Sequence, residues 1–491
     1  MDLTKCSLNF KGVKLFMKVV RNYLYNAGYQ LLLVLLPLVT ATYISRVLTN
    51  TGVGINSYTN SIISYFILFG SLGINLYGNR EIAYLRNKPQ KMSQAFWEIV
   101  ILRVLAVILA YIVFFIYIPF SRHPTLMIFQ SINLLAVILD ISWLYMGIED
   151  FKKTVTRNTL VKIISLIAIF MFVKNKSDLG LYIIILGLGS LLGNLTLWPF
   201  LRGVIKRVKW NQLHPFQHLR PSLVLFFPQA AITVYAVLNK TMLGLIAGTV
   251  NSGYYNNADT IIKTVLALAT ATGTVMLPHV ANAFAKGEKA KVNQMLYDSF
   301  DFISFLTVAM MFGLAGLSLH LGPYFYGRGF QPVGLAMLLE SPVILLIGWS
   351  NAIGTQFLLP TNHNKEFTTS VVLGASVNIV INFPMIYFGG LNGAILATVI
   401  SETCVTGYQL WVVRKTINFH LLFLNLPKYL IAGVLMFIPV FWINNSVHTS
   451  ILSIGAEVLL GIIVYAVMIL LLRPTILEKA KKVLAEKRAG R

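Results

Sequence analysis

Apolar runs of eighteen residues or more recur along the whole chain, separated by short polar or basic stretches. A helix needs roughly 20 such residues to cross about 30 Å of hydrocarbon. The pattern therefore predicts fourteen membrane helices, near 23–46, 56–79, 97–119, 125–148, 159–175, 179–201, 222–247, 254–280, 296–318, 333–359, 367–388, 391–413, 428–444 and 451–472. Ten-residue alternating strands, the mark of a membrane barrel, are absent from the pattern. Several breaks carry a local reason. Pro119 and Pro124 bracket a turn, Trp198-Pro199 closes the sixth run with an interfacial ring and a helix stop, and Gly389-Gly390 makes a tight turn. The expected class is an all-α polytopic membrane protein. Lys11, Lys14, Lys18 and Arg21 precede the first run and loosely imitate a signal peptide. The basic stretch is too long for one and further spans follow, so the run is read as a retained first helix.

Composition agrees with the pattern. Of 491 residues, 56% are hydrophobic and 12% charged, and the mean hydropathy is +0.72. The formal charge of +23 would suggest nucleic acid in a soluble protein. Here no soluble domain exists to carry that role, and the charge has a membrane explanation. With both termini cytoplasmic, 32 of the 40 Lys and Arg fall in inner segments, 5 in outer turns and 3 within spans. Such a bias orients the chain by the positive-inside rule and leaves no sizeable outer loop. In this count residues 149–162 form an inner segment. The longest inner connection, 202–220, carries Arg202, Lys206, Arg207, Lys209 and Arg220, and is read as a basic linker against anionic lipid. The expected organisation is a first lobe over 1–201, this linker, a second lobe over 221–414, two further spans in 415–472, and a basic cytoplasmic tail over 473–491. Cys6 and Cys404 are expected at different depths, with no disulfide and no metal site.

The two lobes carry a short internal repeat. Gly54-Ile55-Asn56-Ser57-Tyr58-Thr59-Asn60-Ser61-Ile62 opens the second span and Gly253-Tyr254-Tyr255-Asn256-Asn257-Ala258-Asp259-Thr260-Ile261 the eighth. Each lobe has an even number of spans, so the repeat is parallel, about an axis along the membrane normal.

No motif of enzyme chemistry is present: no Gly-rich phosphate loop, no nucleophile elbow, no paired-histidine zinc helix. The chemistry-bearing residues are charges at hydrocarbon depth. A charge at the bilayer centre costs about 2.5–3.5 kcal/mol on insertion scales, so such residues face cavities or partners. Lys240, Asp259 and Lys263 flank the turn between spans seven and eight, and Asp259 and Lys263 share a helix face by their i,i+4 spacing. Arg103, Asp140, Glu340 and Glu402 lie in spans three, four, ten and twelve, and Arg46 ends span one at the outer rim. Cations in a cavity suit an anionic substrate. Lone carboxylates suit H+ or Na+ coupling, because desolvation moves their affinity for a proton into the working range. Most have a plainer alternative: helix-to-helix hydrogen bonding for Asp140 and Glu402, a neutralising pair for Asp259 and Lys263, snorkelling for Arg103, and an interface anchor for Arg46.

Fragments spread through the chain carry a resemblance. Gly73-Ile74-Asn75-Leu76-Tyr77-Gly78-Asn79-Arg80-Glu81-Ile82-Ala83, residues 253–262, Met276-Leu277-Pro278 and Gln356-Phe357-Leu358-Leu359-Pro360-Thr361, the last continuing into 370–382 and Gly393-Ala394, occur in one order. With these the sequence resembles the Wzx-type oligosaccharide flippases, of the superfamily that includes MATE exporters and lipid II flippases. It is most similar to members that serve capsule or exopolysaccharide synthesis in Gram-positive bacteria. It departs from them at Asn239-Lys240, where the family has Asp-Lys, at Thr260, and at Pro278-His279. The resemblance implies a MATE-like fold of two six-helix lobes around a cationic cavity, in a bacterial cytoplasmic membrane. The substrate it implies is an undecaprenyl-pyrophosphate-linked oligosaccharide, handed on by glycosyltransferases and to a polymerase of the same pathway. Lys240, Lys263, Arg103 and Arg46 would contact the pyrophosphate, Asp259 would orient Lys263, and Asp140, Glu402 and Glu340 would be coupling-ion candidates. Walls rich in Asn, Ser, Thr and Tyr in spans two and eight would meet sugar hydroxyls. The alternatives are a MATE-like cation-coupled drug exporter and a membrane polysaccharide polymerase.

Overall fold

The computed structural model describes residues 3–478, with side chains for 36–478 except at 151, 228, 271–275 and 278. Cys6, the basic residues Lys11, Lys14, Lys18 and Arg21, and the tail beyond 478 lie outside those described side chains. Every regular element among the described residues is a helix. The first part of the chain forms α1 (Leu3–Ser71), α2 (Ile74–Leu85), α3 (Pro89–Tyr117), α4 (Pro124–Leu139), α5 (Ser142–Gly147), α6 (Phe151–Phe172) and α7 (Leu179–Leu195). The rest forms α8 (Leu219–Ile246), α9 (Thr249–Ala285), α10 (Lys289–Tyr326), α11 (Gln331–Glu340), α12 (Pro342–Ser350), α13 (Asn364–Val413), α14 (Phe419–Leu422), α15 (Leu426–Ser446) and α16 (Ile451–Leu472).

Among the described residues ten helices are long and apolar enough to cross a membrane, or eleven if Gln331–Glu340 and Pro342–Leu358, bent by 42°, make one span. Fourteen were expected, and geometry explains part of the difference. α1 and α13 each hold two expected spans joined at a sharp bend, at Thr49 (φ 61°, ψ 178°) and at Gly390 (φ 52°, ψ −127°). Glycine adopts that backbone without a steric penalty. A β-branched threonine does not, so Thr49 is a strained corner. The expected fourth span is also broken. The helix stops at Leu139, and Asp140 caps the restart by accepting the Ser142 amide at 3.0 Å, while its carbonyl accepts the Trp143 indole N–H at 3.1 Å.

Successive arms alternate in direction, as ties between their ends require. At one end Tyr43 Oη donates to the Val173 carbonyl at 2.8 Å and Arg46 Nη2 to the Tyr324 carbonyl at 2.7 Å. At the other, Asn293 Nδ2 donates to the Thr416 carbonyl at 3.3 Å and Lys428 Nζ to the Arg473 carbonyl at 3.1 Å. We call these ends the Thr49 face and the Leu85 face.

The apolar core is arranged unequally between the two faces. Near the Thr49 face one core joins early and late segments, Ile44, Leu48, Val53 and Val173 packing with Leu243, Tyr254, Tyr326 and Phe330, beside a smaller core of early segments alone around Tyr58, Phe114, Ile118 and Met127. Near the Leu85 face there are two separate cores, one around Ile74, Phe96, Trp143 and Leu197, the other around Val280, Phe300, Ile353 and Leu422. The repeat lies at the joined end. A Cβ on Gly253 would come 2.8 Å from the Gly54 backbone, and one on Gly54 would strike the Thr249 carbonyl, so the two aligned glycines let the halves touch. Beside them the Ser57 and Ser252 hydroxyls lie 2.9 Å apart.

Two expected connections differ from the sequence reading. Residues 149–162 are not a loop: α6 starts at Phe151, so Lys152, Lys153, Arg157 and Lys162 ride on a helix. Helical φ/ψ needs no apolar periodicity at a helix's wet end, and the basic residues concealed its start. The 202–220 segment is not merely a solvated basic linker. Its last part is pinned by Glu98 of α3, which accepts from the His214 amide at 2.8 Å, Gln217 Nε2 at 2.7 Å and Gln94 Nε2 at 3.0 Å, with His218 Nε2 at 2.8 Å. Tyr77 Oη meets His218 Nδ1 at 2.6 Å.

Candidate functional site

The charges expected in the later spans gather in one place. Lys240 comes from α8, Asp259 and Lys263 from α9, Glu340 from the end of α11, and Glu402 from the second arm of α13. Lys263 Nζ lies 2.8 Å from Asp259 Oδ2, and Lys240 Nζ 3.9 Å from the same oxygen and 2.8 Å from Asn256 Oδ1. Glu402 accepts the Tyr235 hydroxyl at 2.7 Å. Glu340 is 1% exposed, and its Oε2 has no hydrogen-bond partner. A polar wall closes the site. Asn239 Nδ2 donates to Tyr255 Oη at 2.6 Å and Thr398 Oγ1 at 2.7 Å, and Asn382 Nδ2 donates to Asn239 Oδ1. The free space among these groups is 50 Å³. A water needs about 10–15 Å³ by this measure. The pocket holds small ions or a few waters, and not a saccharide. Its lining carries three carboxylates, Asp259, Glu340 and Glu402, and one lysine, Lys263, with Lys240 just outside it at 3.9 Å from Asp259, so it favours a cation or proton over an added anion.

The remaining expected residues lie elsewhere. Arg103 is 1% exposed and donates to the Asp140 carbonyl and to Asn75 Oδ1, with the Asp140 carboxylate at 4.0 Å. It ties α3 to the break after α4. Arg46 ties the first arm of α1 to the end of α10 at the Thr49 face.

A second and much larger cavity is lined in part by the Asn-, Ser-, Thr- and Tyr-rich stretches of spans two and eight, which the sequence reading offered as walls for sugar hydroxyls, and in part by residues of α4, α6 and α7 that it did not single out. It measures 670 Å³, is open on one side, and is lined by α1, α4, α6, α7 and α9. That is within the roughly 300–1,000 Å³ of ordinary ligand pockets. Half of its polar lining is carboxamide: Asn56, Asn60, Gln130, Asn133, Asn158, Asn194 and Asn256. Some are held in place by one another. Gln130 Nε2 donates to Asn56 Oδ1 and Thr59 Oγ1, each at 3.3 Å, and Asn133 Nδ2 donates to Gln130 Oε1 at 3.1 Å. The charged residues of the lining, among those described, are Arg157 and Lys162, with no carboxylate. Arg157 Nη1 donates to Asn194 Oδ1, and Asn194 Nδ2 donates to the Ala136 carbonyl at 2.7 Å. Neutral amides do not stand out from an apolar run as charges do. The signal that was available is spacing: Asn56 and Asn60, Asn158 and Lys162, and Asn256 and Thr260 each stand i,i+4, one polar stripe per span.

Two apolar grooves complete the site. One, of 750 Å³, lies between α6 and α7. The other, of 790 Å³, is walled by α9, α10, α15 and α16.

Comparison with known proteins places this geometry. Residues 19–284 match the family described as polysaccharide biosynthesis protein. An Escherichia coli (strain K12) protein named "Putative O-antigen transporter" is 24% identical over 402 residues, which cover 80% of this chain and 96% of that protein. Among solved structures, the lipid II flippase MurJ in an inward closed conformation superposes with a TM-score of 0.73 at 17% identity, over 90% of this chain and 97% of its own. An inward-facing MATE family multidrug transporter gives 0.60 at 12% identity, over 78% of this chain and 94% of its own. The two structures establish a shared fold, and all three proteins are named for transport rather than catalysis.

Proposed function

The chain belongs to the polysaccharide biosynthesis protein family, and from that premise we propose that it is a flippase for undecaprenyl-pyrophosphate-linked oligosaccharide units, serving capsule or exopolysaccharide synthesis. The observation that carries the reading is the 670 Å³ chamber, lined by carboxamides and two cations, inside an apolar helical molecule. Carboxamides are donors and acceptors at once and match sugar hydroxyls. Fixed cations replace the hydration that a diphosphate loses on leaving water. The prenyl tail needs no such path, since it is soluble in the bilayer.

The Leu85 face is assigned to the cytoplasm, because the basic surplus lies there. The joined core at the Thr49 face and the separate cores at the Leu85 face support a state closed outward and accessible inward. Alternating access would exchange these two arrangements. The small charged pocket is the coupling site in this scheme: Glu340 and Glu402 would take H+ or Na+, with Asp259 held between two lysines. Lys240 and Lys263, expected as phosphate contacts, would act there on the carboxylates. Export of cationic drugs would need carboxylates in the large chamber, whereas Asp259, Glu340 and Glu402 face a 50 Å³ space.

Sidedness of the lipid-linked repeat units is the test. In a strain lacking this protein but keeping the polymerase, spheroplasts are probed with an impermeant glycan-cleaving reagent. Units should be protected, and become accessible on complementation. Units already accessible without the protein would reject the reading, and a change in polymer chain length alone would point to polymerisation.

A further inference from the structure

Two cavities of different chemistry share a wall, and that wall determines how a lipid-linked anion would sit. The carboxamide chamber and the α6–α7 groove have Arg157, Val161, Ser165 and Gly193 in common. The wall is thin because α7 presents glycine to α6. A Cβ on Gly193 would strike the Val161 side chain, and one on Gly189 would lie 2.5 Å from Ser165 Oγ. On its outer side the groove is apolar, through Leu160, Ile164 and Leu192, each more than half exposed. Its mouth at the Leu85 face carries Lys152 and Lys153, and Asp150 at the same rim is paired with Lys153 at 2.9 Å.

A prenyl-linked saccharide has a fixed order of parts: apolar chain, phosphate, sugar, each within a few bonds of the next. A site for it must present an apolar groove, a cation and a polar chamber in that order. The α6–α7 seam does so, with Arg157 bordering both spaces and Lys162 further along the same helix inside the chamber. The larger groove at α15 and α16 does not. It shares no lining residue with the chamber, and its one charged-type residue is the acid Glu457, which is buried and accepts from Asn444 at 2.8 Å. We propose that the substrate is seated across the α6–α7 seam, with its prenyl chain in the groove, its phosphate on Arg157 and Lys162, and its first sugars among the carboxamides. The proposal rests on the flippase reading and adds the entry route and the anchoring residues.

The test uses full-length protein in vesicles of neutral phospholipid and a prenyl pyrophosphate bearing a photoreactive group in its chain. Labelled positions are mapped by mass spectrometry. Labelling should fall on 160–164 and 188–196. Leu160→Trp and Leu192→Trp, at lipid-exposed positions that do not pack the core, should each suppress it, and Ile462→Trp in the other groove should not. Arg157→Gln should weaken binding about 10- to 100-fold, the scale of a lost hydrogen bond to a charged group, and Arg157→Lys should recover most of it. Labelling confined to α15 and α16, and insensitive to Leu160→Trp, would overturn the seam and leave the flippase reading intact. Absence of saturable labelling anywhere would overturn both. Equal displacement by an ordinary anionic phospholipid would make the seam a bulk-lipid site and overturn the substrate assignment.

Discussion

Asp259 is the residue on which the charged pocket turns. It is 6% exposed, accepts a hydrogen bond from Lys263 at 2.8 Å, and has the Lys240 ammonium 3.9 Å from the same oxygen. Lys263→Ala leaves it facing Lys240 at 3.9 Å alone. An under-compensated buried carboxylate costs about 1–3 kcal/mol, so the variant should unfold at lower temperature in detergent. Adding Asp259→Asn removes the buried charge, and the double variant should regain most of that stability. Transport separates the two roles open for Lys263. If it serves Asp259, activity recovers with stability; if it holds the pyrophosphate, the stable double variant stays inactive. These charges were legible in the sequence because each interrupts an apolar run. Their convergence was not, since Lys240, Asp259, Glu340 and Glu402 come from four helices with no local pattern to relate them. Arg157 and Lys162 were misread for the opposite reason: they belong to a basic stretch that looked like a loop.

At the scale of elements, bends and anchors carry most of the information. Thr49 turns α1 with a backbone that suits glycine (φ 61°), at a cost of about 1–3 kcal/mol. Thr49→Gly should therefore raise the unfolding temperature in detergent, and a fall would overturn the strain argument. The corresponding bend of α13 falls on Gly390 and was legible as a Gly-Gly pair, whereas the bend of α1 was legible only as the gap 47–55 between two apolar runs, with nothing to single out Thr49 within it. The segment before α8 gives a second test. Glu98 satisfies three nitrogen donors of residues 214–218 across more than a hundred positions of sequence, which is why composition alone made this stretch a free linker. Glu98→Ala strands those donors, each worth about 1–3 kcal/mol when buried. Limited proteolysis should then cut near 210–218 while α3 and α8 remain intact; Glu98→Gln keeps an acceptor and should be cut more slowly. Cleavage at the same rate in wild type would show that the anchor contributes nothing.

The whole molecule raises the question of motion, and its unequal cores give a way to ask it. The halves are joined at the Thr49 face, where Gly54 meets Gly253 and Ser57 meets Ser252, and are separately packed at the Leu85 face. The even-numbered repeat made the glycine pair visible in the sequence as an alignment. A parallel two-fold arrangement places equivalent positions on either side of one axis, and only residues next to that axis touch, as Gly54 and Gly253 do. A carrier working by alternating access has to break this contact once per cycle. The serine hydroxyls are 2.9 Å apart, close enough for cysteines at both positions to form a disulfide after small side-chain adjustment. The pair Ser57→Cys and Ser252→Cys, in a background lacking Cys6 and Cys404, should transport when reduced. Oxidation should stop transport and hold the chamber accessible from the Leu85 face, read by labelling of a cysteine placed at Asn158 with an impermeant reagent, and reduction should restore activity. A simple barrier to folding is excluded by the reduced state of the same sample. Continued flipping by protein shown to be fully cross-linked would mean that the Thr49 face does not open, and substrate would then have to leave sideways, through a seam such as that between α6 and α7.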